Sequence, residues 1–231
     1  MTGHGCHPQN HPEPSKLQLL TAWLPTRSWY TGPAGEPELA RAGGFRLDDP
    51  QGEVGIEIMV VTDASGDRPV SYHVPLTYRG APLDGAGEAL IGTSEHGVLG
   101  RRWVYDGVHD PVLVAQLLAL FQGRSEPQGQ SLTGTPDPTV TVRSTGAGPS
   151  AVVTSTTVRD GRHGTDIVLN TGAGTGEAAS AVVSVTRVLG ADGPASRTEG
   201  ATAGAQVTAG WRLPDGGEAR GLFFALFDEA L

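Results

Sequence analysis

The spacing of hydrophobic positions predicts a helix at the start of the patterned part of the chain. Ser15 precedes it and is a favoured N-cap residue. Leu17, Leu20 and Leu24 recur at helical spacing, which places them on one face. Pro25 ends the helix, because the residue before a proline is pushed out of the α-helical region. The pattern therefore predicts a short helix with one apolar side.

Three strand candidates follow this helix, at residues 38–47, 53–62 and 69–78. In the last two, apolar residues alternate with polar ones at a period of two, which is typical of a strand with one buried face. The alternation assigns five polar residues to the water-facing sides, namely Glu53, Glu57, Ser71, His73 and Thr77. Short turns join the candidates, so we expect an antiparallel meander. The Ser15 helix can cover one side of this sheet.

The remainder of the chain continues as short strands around one further helix. Strands are predicted at 89–93 and 102–106, and Asp110 then caps a helix that begins with Pro111 and stops at Gly123. Val- and Thr-rich segments predict later strands at 140–143, 151–158, 166–169, 181–189, 206–213 and 221–227. The second half is therefore either a small separate sheet or an extension of the first one. The predicted fold class is α+β, with a helix packed on an antiparallel sheet and a β-rich module after it.

Composition divides the 231-residue chain into unequal parts. Nine of its aromatic residues lie between Trp23 and Phe121, and the interval 122–210 has none. We therefore expect the large aromatic core in the first half. The predicted boundaries are a disordered leader at 1–14, an α+β domain at 15–123, a linker or long loop at 124–138 and a β-rich module at 139–231.

Charge and cysteine content exclude several classes of function. The net charge is −9 and the arginines are scattered singly, which is unlike a protein that binds a nucleic-acid backbone. No run of 18 apolar residues could form a membrane span. One cysteine, Cys6, permits no internal disulfide. We expect a cytoplasmic protein with no membrane or nucleic-acid partner, and the sequence does not predict its oligomeric state.

Two segments carry residue types that are found in metal and phosphate sites. The leader holds His4, Cys6, His7 and His11, which are possible zinc ligands, but nothing apolar nearby would fix them. A glycine-rich stretch at 171–177 lacks the lysine of a phosphate-binding loop and precedes a strand, so it reads as a hairpin loop. We therefore expect no metal, no cofactor and no catalytic residue.

The better candidates for contact with a ligand or partner lie in the first half. Trp29 and Tyr30 fall in a polar loop, where we expect an exposed contact rather than a core position. Asp106 and His109 place a carboxylate beside an imidazole, although a turn residue and an exposed loop histidine would explain them as well. The full set of candidate contacts is Trp29, Tyr30, His96, Arg101, Arg102, Asp106 and His109.

Several strings in residues 16–122 resemble a known family. They are WLP followed by a second Trp at Trp29, VPL at positions 74–76, and YD and HDP between Tyr105 and Pro111. In combination they resemble the N-terminal cap domain of bacterial maltokinases. They look still more like stand-alone cap-like proteins, some of which carry the label 1,4-alpha-glucan branching protein. The resemblance implies that residues 15–123 form the cap's α+β fold, a helix packed on an antiparallel sheet.

The resemblance does not extend to kinase chemistry. In maltokinases the cap precedes a kinase-like fold, which requires a lysine for the ATP phosphates and aspartates on a large lobe. Here no lysine follows Lys16, and Gly32 and Pro33 stand where the family often has Gly-Lys. The β-rich module could complete a degenerate kinase N-lobe-like sheet. Branching chemistry requires a barrel with paired carboxylates, for which the chain is too short.

The expected function is that of a non-catalytic accessory or regulatory protein in α-glucan, maltose or trehalose metabolism. It would act by binding a protein partner or a carbohydrate ligand. One alternative is a small ligand-binding protein or enzyme with a pocket between the two modules, lined by His96, Arg101, Arg102, Asp106 and His109. Another is a partner subunit of a separately encoded kinase or glucan enzyme.

Overall fold

One antiparallel sheet and two short helices make up the fold. The computed structural model describes residues 13–130, 134–145, 152–162, 164–172, 179–190 and 203–229. Most of the predicted leader, with all four of its candidate metal ligands, lies outside these residues. The glycine-rich stretch from residue 173 onward also lies outside them.

Helix α1, Lys16–Trp23, begins and ends where the sequence predicts. The Ser15 hydroxyl accepts from the backbone N–H of Gln18 at 3.3 Å, and the Gln18 side chain accepts from the Ser15 N–H at 2.7 Å. This reciprocal pair satisfies two backbone donors that the first helical turn leaves open. A 3-10 turn at Leu24–Thr26, which contains Pro25, follows α1 and confirms the predicted end.

The first half supplies five strands in the predicted order. They are β1 Leu39–Leu47, β2 Gly55–Asp63, β3 Val70–Arg79, β4 Leu90–His96 and β5 Gly100–Asp106. The first three form the predicted meander, because β2 pairs antiparallel with both β1 and β3. The next two form a hairpin whose strand β5 pairs with β3, so β4 lies at the outer edge.

The second half extends this sheet. Helix α2 spans Pro111–Phe121, and Asp110 caps it as predicted. The strands after it are β6 Gln128–Gly129, β7 Thr141–Ser144, β8 Val152–Asp160, β9 Gly164–Gly172, β10 Ala179–Thr186, β11 Val188–Leu189, β12 Ala205–Arg212 and β13 Glu218–Glu229. The pairing of β12 with β1, at Trp211 and Gly43, joins the two halves. Of the two sequence interpretations, the extension of the first sheet is the one observed.

A second junction closes part of the sheet into a ring. Strand β11 continues β10 after Arg187 and pairs with β3 through Val188 and Tyr72. The pairings therefore run from β3 through β2, β1, β12, β13 and β10 and return to β3. Closure of this kind removes exposed strand edges from the ring. The hairpin of β4 and β5 and the hairpin of β8 and β9 extend outward from it.

Two apolar clusters cover the two faces of β2 and β3. The first lies inside the ring and against α2, and it joins Phe45, Ile58 and Leu117 to Phe223 and residues of the later strands. The second lies outside the ring, where α1 packs on the sheet. The expectation that the large core lies in the first half is wrong. Val, Ile and Ala residues of the second half, with two phenylalanines and a tryptophan, line the same interior.

Because both faces are covered, four of the five predicted water-facing residues are buried, with Ser71 among them. Glu57 is 4% exposed, and His73 and Thr77 are fully buried. The alternation of apolar and polar residues in β2 and β3 is real, but its polar side faces another layer of protein instead of water. Among the helices in the described part of the chain, none is long and apolar enough to cross a membrane.

Candidate functional site

The hairpin of β4 and β5 presents the most exposed of the large apolar side chains in the described structure. Val98 is 77% exposed and Leu99 is 57% exposed, and both lie in the turn between the two strands. Large aliphatic side chains at this degree of exposure are unfavourable in water by themselves. An adjacent pair at the tip of an outer hairpin is therefore a candidate contact site.

Neighbouring residues hold this tip in one shape. His96 Nδ1 accepts from the backbone N–H of Val98 at 3.3 Å and of Leu99 at 3.2 Å. In both bonds Nδ1 is the acceptor, so the His96 side chain holds the backbone of the turn in place. Below the turn, Arg101 Nε donates to Glu95 Oε1 at 2.7 Å across the two strands. The tip is thus braced by side chains on both of its strands.

The chain before α1 also supports the hairpin. Glu13 forms an antiparallel bridge to Glu95, with N–H to O distances of 3.2 and 2.9 Å. The Ser94 hydroxyl donates to the Pro14 carbonyl oxygen at 2.8 Å. These bonds satisfy backbone groups at the outer edge of β4, and they leave the turn itself uncovered by any described residue.

Four of the predicted contact residues lie on this hairpin, but they do not converge on one place. His96 and Arg101 are next to the tip, and Arg102 points to the α1 side, near Gly80. Asp106 ends β5 and lies six residues after Gly100. In an extended strand six residues span about 20 Å. The strand therefore places His96 and Asp106 at opposite ends of the hairpin instead of around one pocket. Their roles as ligand or partner contacts stay predictions.

Asp106 belongs to a buried cluster that joins the two halves of the chain. Its Oδ2 accepts from Arg187 at 2.6 Å, and Arg187 Nε donates to the Thr165 hydroxyl at 2.8 Å. The guanidinium also lies over the ring of Trp29, 5.0 Å from the ring centroid. Arg187 and Trp29 are both fully buried. The expectation that Trp29 makes an exposed contact is therefore wrong, because α1 and Arg187 enclose it.

Tyr30 is half-buried and has a structural partner. Its hydroxyl donates to Asp63 Oδ2 at 2.8 Å, and its ring stacks on Tyr72 at 5.4 Å between centroids. Burial and the Asp63 carboxylate raise the pKa of Tyr30 well above its usual value. Burial alone would raise the pKa of Asp63, but hydrogen bonds from Ser65, Tyr30 and the Glu38 N–H lower it. The pair therefore stays a neutral phenol bonded to a carboxylate.

The last predicted contact, His109, is exposed on the 3-10 turn between β5 and α2. Its neighbour Asp110 is fully buried and accepts two hydrogen bonds from Arg79, at 2.6 and 2.7 Å. This bidentate pair fixes the start of α2 on β3. It raises the pKa of Arg79 further above its usual value. Asp110 therefore has a structural role, while His109 is free to contact a partner.

Other kinds of site are weakly represented in the described residues. No group of three or more His, Cys, Asp or Glu residues among them could hold a metal ion. A shallow groove of about 400 Å³ runs between α1 and the loop that follows it. It is lined by Gln18, Thr21, Ala22, Pro25, Gly35, Glu36 and Pro37, and contains none of the predicted contacts.

The residues that sequence reasoning missed are Val98, Leu99 and Arg187. The first two carry a signal, since two large aliphatic residues stand in a turn between Gly97 and Gly100. Arg187 carries none, because it follows a strand in an unremarkable Val- and Thr-rich segment and meets Asp106 only in the folded protein.

The meander, the hairpin and the Asp110 cap all fall within one family match. Residues 23–110 match the family described as the maltokinase N-terminal cap domain. The match lies inside the segment that the resemblance identified, and it includes Trp23, Trp29 and the YD and HDP strings. The match confirms that residues 23–110 of this chain resemble the maltokinase N-terminal cap domain.

Proposed function

We propose that this chain is a non-catalytic accessory protein of α-glucan or maltose metabolism, which acts by binding a protein partner through the β4–β5 hairpin. The cap-domain match suggests the metabolic link. In this proposal residues 15–123 are the cap-like unit, residues 124–138 a connection and residues 139–231 a β-rich module that completes its sheet. The protein works in the cytoplasm.

The observation that carries the proposal is the exposed pair Val98 and Leu99. Removing each side chain from water would contribute about 1.5–3 kcal/mol to docking. The tip is already shaped by His96 and by the Glu95–Arg101 ion pair, so little order has to be gained on binding. An apolar pair with a polar rim matches the usual composition of a small docking site.

The partner that fits best is a separately encoded kinase or glucan enzyme. Maltokinase caps precede a kinase-like fold, so a chain with a cap-like domain is suited to lie against such a fold in another protein. A kinase-type lysine is not available within this sequence. Its one lysine, Lys16, lies on α1 and pairs with Glu57.

A binding experiment tests the hairpin. The full chain is immobilised, and the kinase and the glucan-modifying enzymes of the same organism are passed over it, with the double substitution Val98→Ser and Leu99→Ser as the test variant. We expect one of these enzymes to bind the wild-type chain and to bind the variant at least about tenfold more weakly. Leu213→Ser is the matched control, because Leu213 is exposed elsewhere and should leave binding unchanged.

The proposal has two clear modes of failure. If none of these enzymes binds the wild-type chain, or if the hairpin variant binds as well as wild type, the hairpin is not the docking site. If the purified chain converts ATP and maltose to a sugar phosphate, the protein is an enzyme and the non-catalytic role is wrong.

A further inference from the structure

Glu57 is a buried carboxylate that four side chains approach on the outer face of the sheet. Lys16 Nζ lies 2.5 Å from Oε2, and the Tyr78 hydroxyl donates to the same oxygen at 2.7 Å. Arg41 and Gln130 each donate to Oε1 at 3.3 Å. Every donor comes from a different element, so Glu57 is the point at which these elements meet.

Glu57 is held in its ionised form. Burial alone would raise the pKa of this carboxyl, but the ammonium of Lys16, the Tyr78 hydroxyl and the charge of Arg41 together lower it. An ionised carboxylate that accepts several hydrogen bonds fixes the positions of the cations bound to it. Arg41 is fixed further, because its Nε donates to the Gln130 side chain at 3.0 Å.

The cationic side chains around Glu57 outnumber its single carboxylate, and they face solvent. The side chains of Lys16 and Arg41 are 39% and 47% exposed. Arg46 lies directly opposite Glu57 across β1 and β2, and its charge lowers the pKa of Tyr78, so it faces the same cluster. Arg46 makes no ion pair with any residue that the structure describes. Three cations thus surround one carboxylate, on a chain whose net charge is −9.

We propose that Lys16, Arg41 and Arg46 form a binding site for a phosphate group. Their charge exceeds that of Glu57 by two, which matches the charge of a phosphate dianion. Arg41 and Arg46 retain guanidinium donors that no described residue uses, and planar guanidinium groups bind phosphate oxygens in pairs. Lys16 adds a compact charge with free N–H groups. The phosphate is either free or carried on a metabolite, because the site offers only contacts to phosphate oxygens.

Titration of the full chain with inorganic phosphate tests the site, by calorimetry at constant ionic strength. We expect saturable binding of one phosphate per chain. Arg41→Gln and Arg46→Gln should each weaken it by about tenfold, because each removes a charged donor. Arg68→Gln is the matched control, since Arg68 is exposed and makes no ion pair within the described residues. Circular dichroism checks that each variant is folded. If one of the two arginine variants does not fold, the other one still tests the site.

A second titration, with glycerol 3-phosphate, identifies the source of the phosphate group. Binding of this ester with similar affinity assigns the site to phosphorylated metabolites, and binding of inorganic phosphate alone assigns it to the free ion. The proposal is overturned if neither ligand binds saturably, if chloride at the same ionic strength gives the same heat, or if both arginine variants bind phosphate as tightly as Arg68→Gln does. None of these results depends on the hairpin.

Discussion

His73 should make the stability of this protein fall between pH 7 and pH 5. Its ring lies inside the strand ring, 4.5 Å from the centroid of Phe223 and 4.8 Å from that of Phe224. Nδ1 is 2.8 Å from the Thr186 carbonyl oxygen, and Nε2 has no partner among the described residues. Burial, with the nearby charge of Arg187, lowers the pKa of His73 from 6.5 to about 3.

The sign and size of the effect follow from proton linkage. The folded pKa lies below the unfolded one, so the unfolded chain binds more protons, and stability is lost as the pH falls below 6.5. Between pH 7 and pH 5 the unfolded histidine becomes almost fully protonated while the folded one stays neutral. The free energy of unfolding should therefore drop by about 2 kcal/mol. Carboxyls with lowered pKa values, such as Glu57 and Asp63, contribute below about pH 4.5, outside this window.

Urea unfolding followed by tryptophan fluorescence at pH 7, 6 and 5 measures this drop. His73→Gln removes the titrating group, so its free energy of unfolding should be nearly constant over the range, even if it is lower throughout. His109→Gln is the control, because His109 is exposed and the variant should keep the wild-type slope. The reasoning fails if His73→Gln loses as much stability as wild type between pH 7 and 5. It also fails if the nuclear magnetic resonance signal of the His73 ring titrates near pH 6.5.

Two further substitutions test the cluster around Arg187 and the backbone of β1. Asp106→Ala leaves the Arg187 charge buried without a carboxylate, so urea unfolding should show a loss of about 3–5 kcal/mol. Replacing Asp106 by Leu and Arg187 by Met together should recover most of that loss, and no recovery would contradict the argument. Gly44 has a φ of +117°, and a Cβ there would lie 1.9 Å from the Ile58 carbonyl oxygen. Gly44→Ala should therefore cost more than about 3 kcal/mol, whereas Gly52→Ala, at a φ of +71° with open space, should cost about 1 kcal/mol in the same assay.

The elements could be predicted from the sequence because their signals are local. Ser15 and Asp110 cap their helices through side chains two or three residues from the backbone groups they bind. The meander follows from alternation within single strands and from short turns. Every strand predicted in the second half is present, including the segment 181–189, which the structure divides at Arg187 into β10 and β11.

Burial was harder to predict, because it depends on contacts between distant parts of the chain. The pattern of β2 alone predicts that Glu57 faces solvent. In the fold it is covered by Lys16, which lies 41 positions earlier, and by Gln130, which lies 73 positions later. His73 looks solvent-facing until the later strands close over it and Phe223 meets its ring. Alternation within a strand shows which residues share a face, but it does not show what covers that face.

The candidate site divides in the same way. His96 and Arg101 could be placed near one turn from the sequence, since a hairpin brings them together locally. Their separation from Asp106 and His109 depends on the length of β5. The alternative of one pocket lined by all of these residues did not take that length into account. The enclosure of Trp29 depends on Arg187, more than 150 residues later in the chain, which no local pattern reveals.

These long-range contacts also bear on how much of the chain forms the cap-like fold. Residues 23–110 contain β1 to β5, but the ring closes only through β10 to β13. Without those strands, Phe45, Ile58 and the buried His73 would face water on the inner side of the sheet. Asp106 would also lose its arginine. The second half therefore buries the inner face of the cap-like segment in this chain.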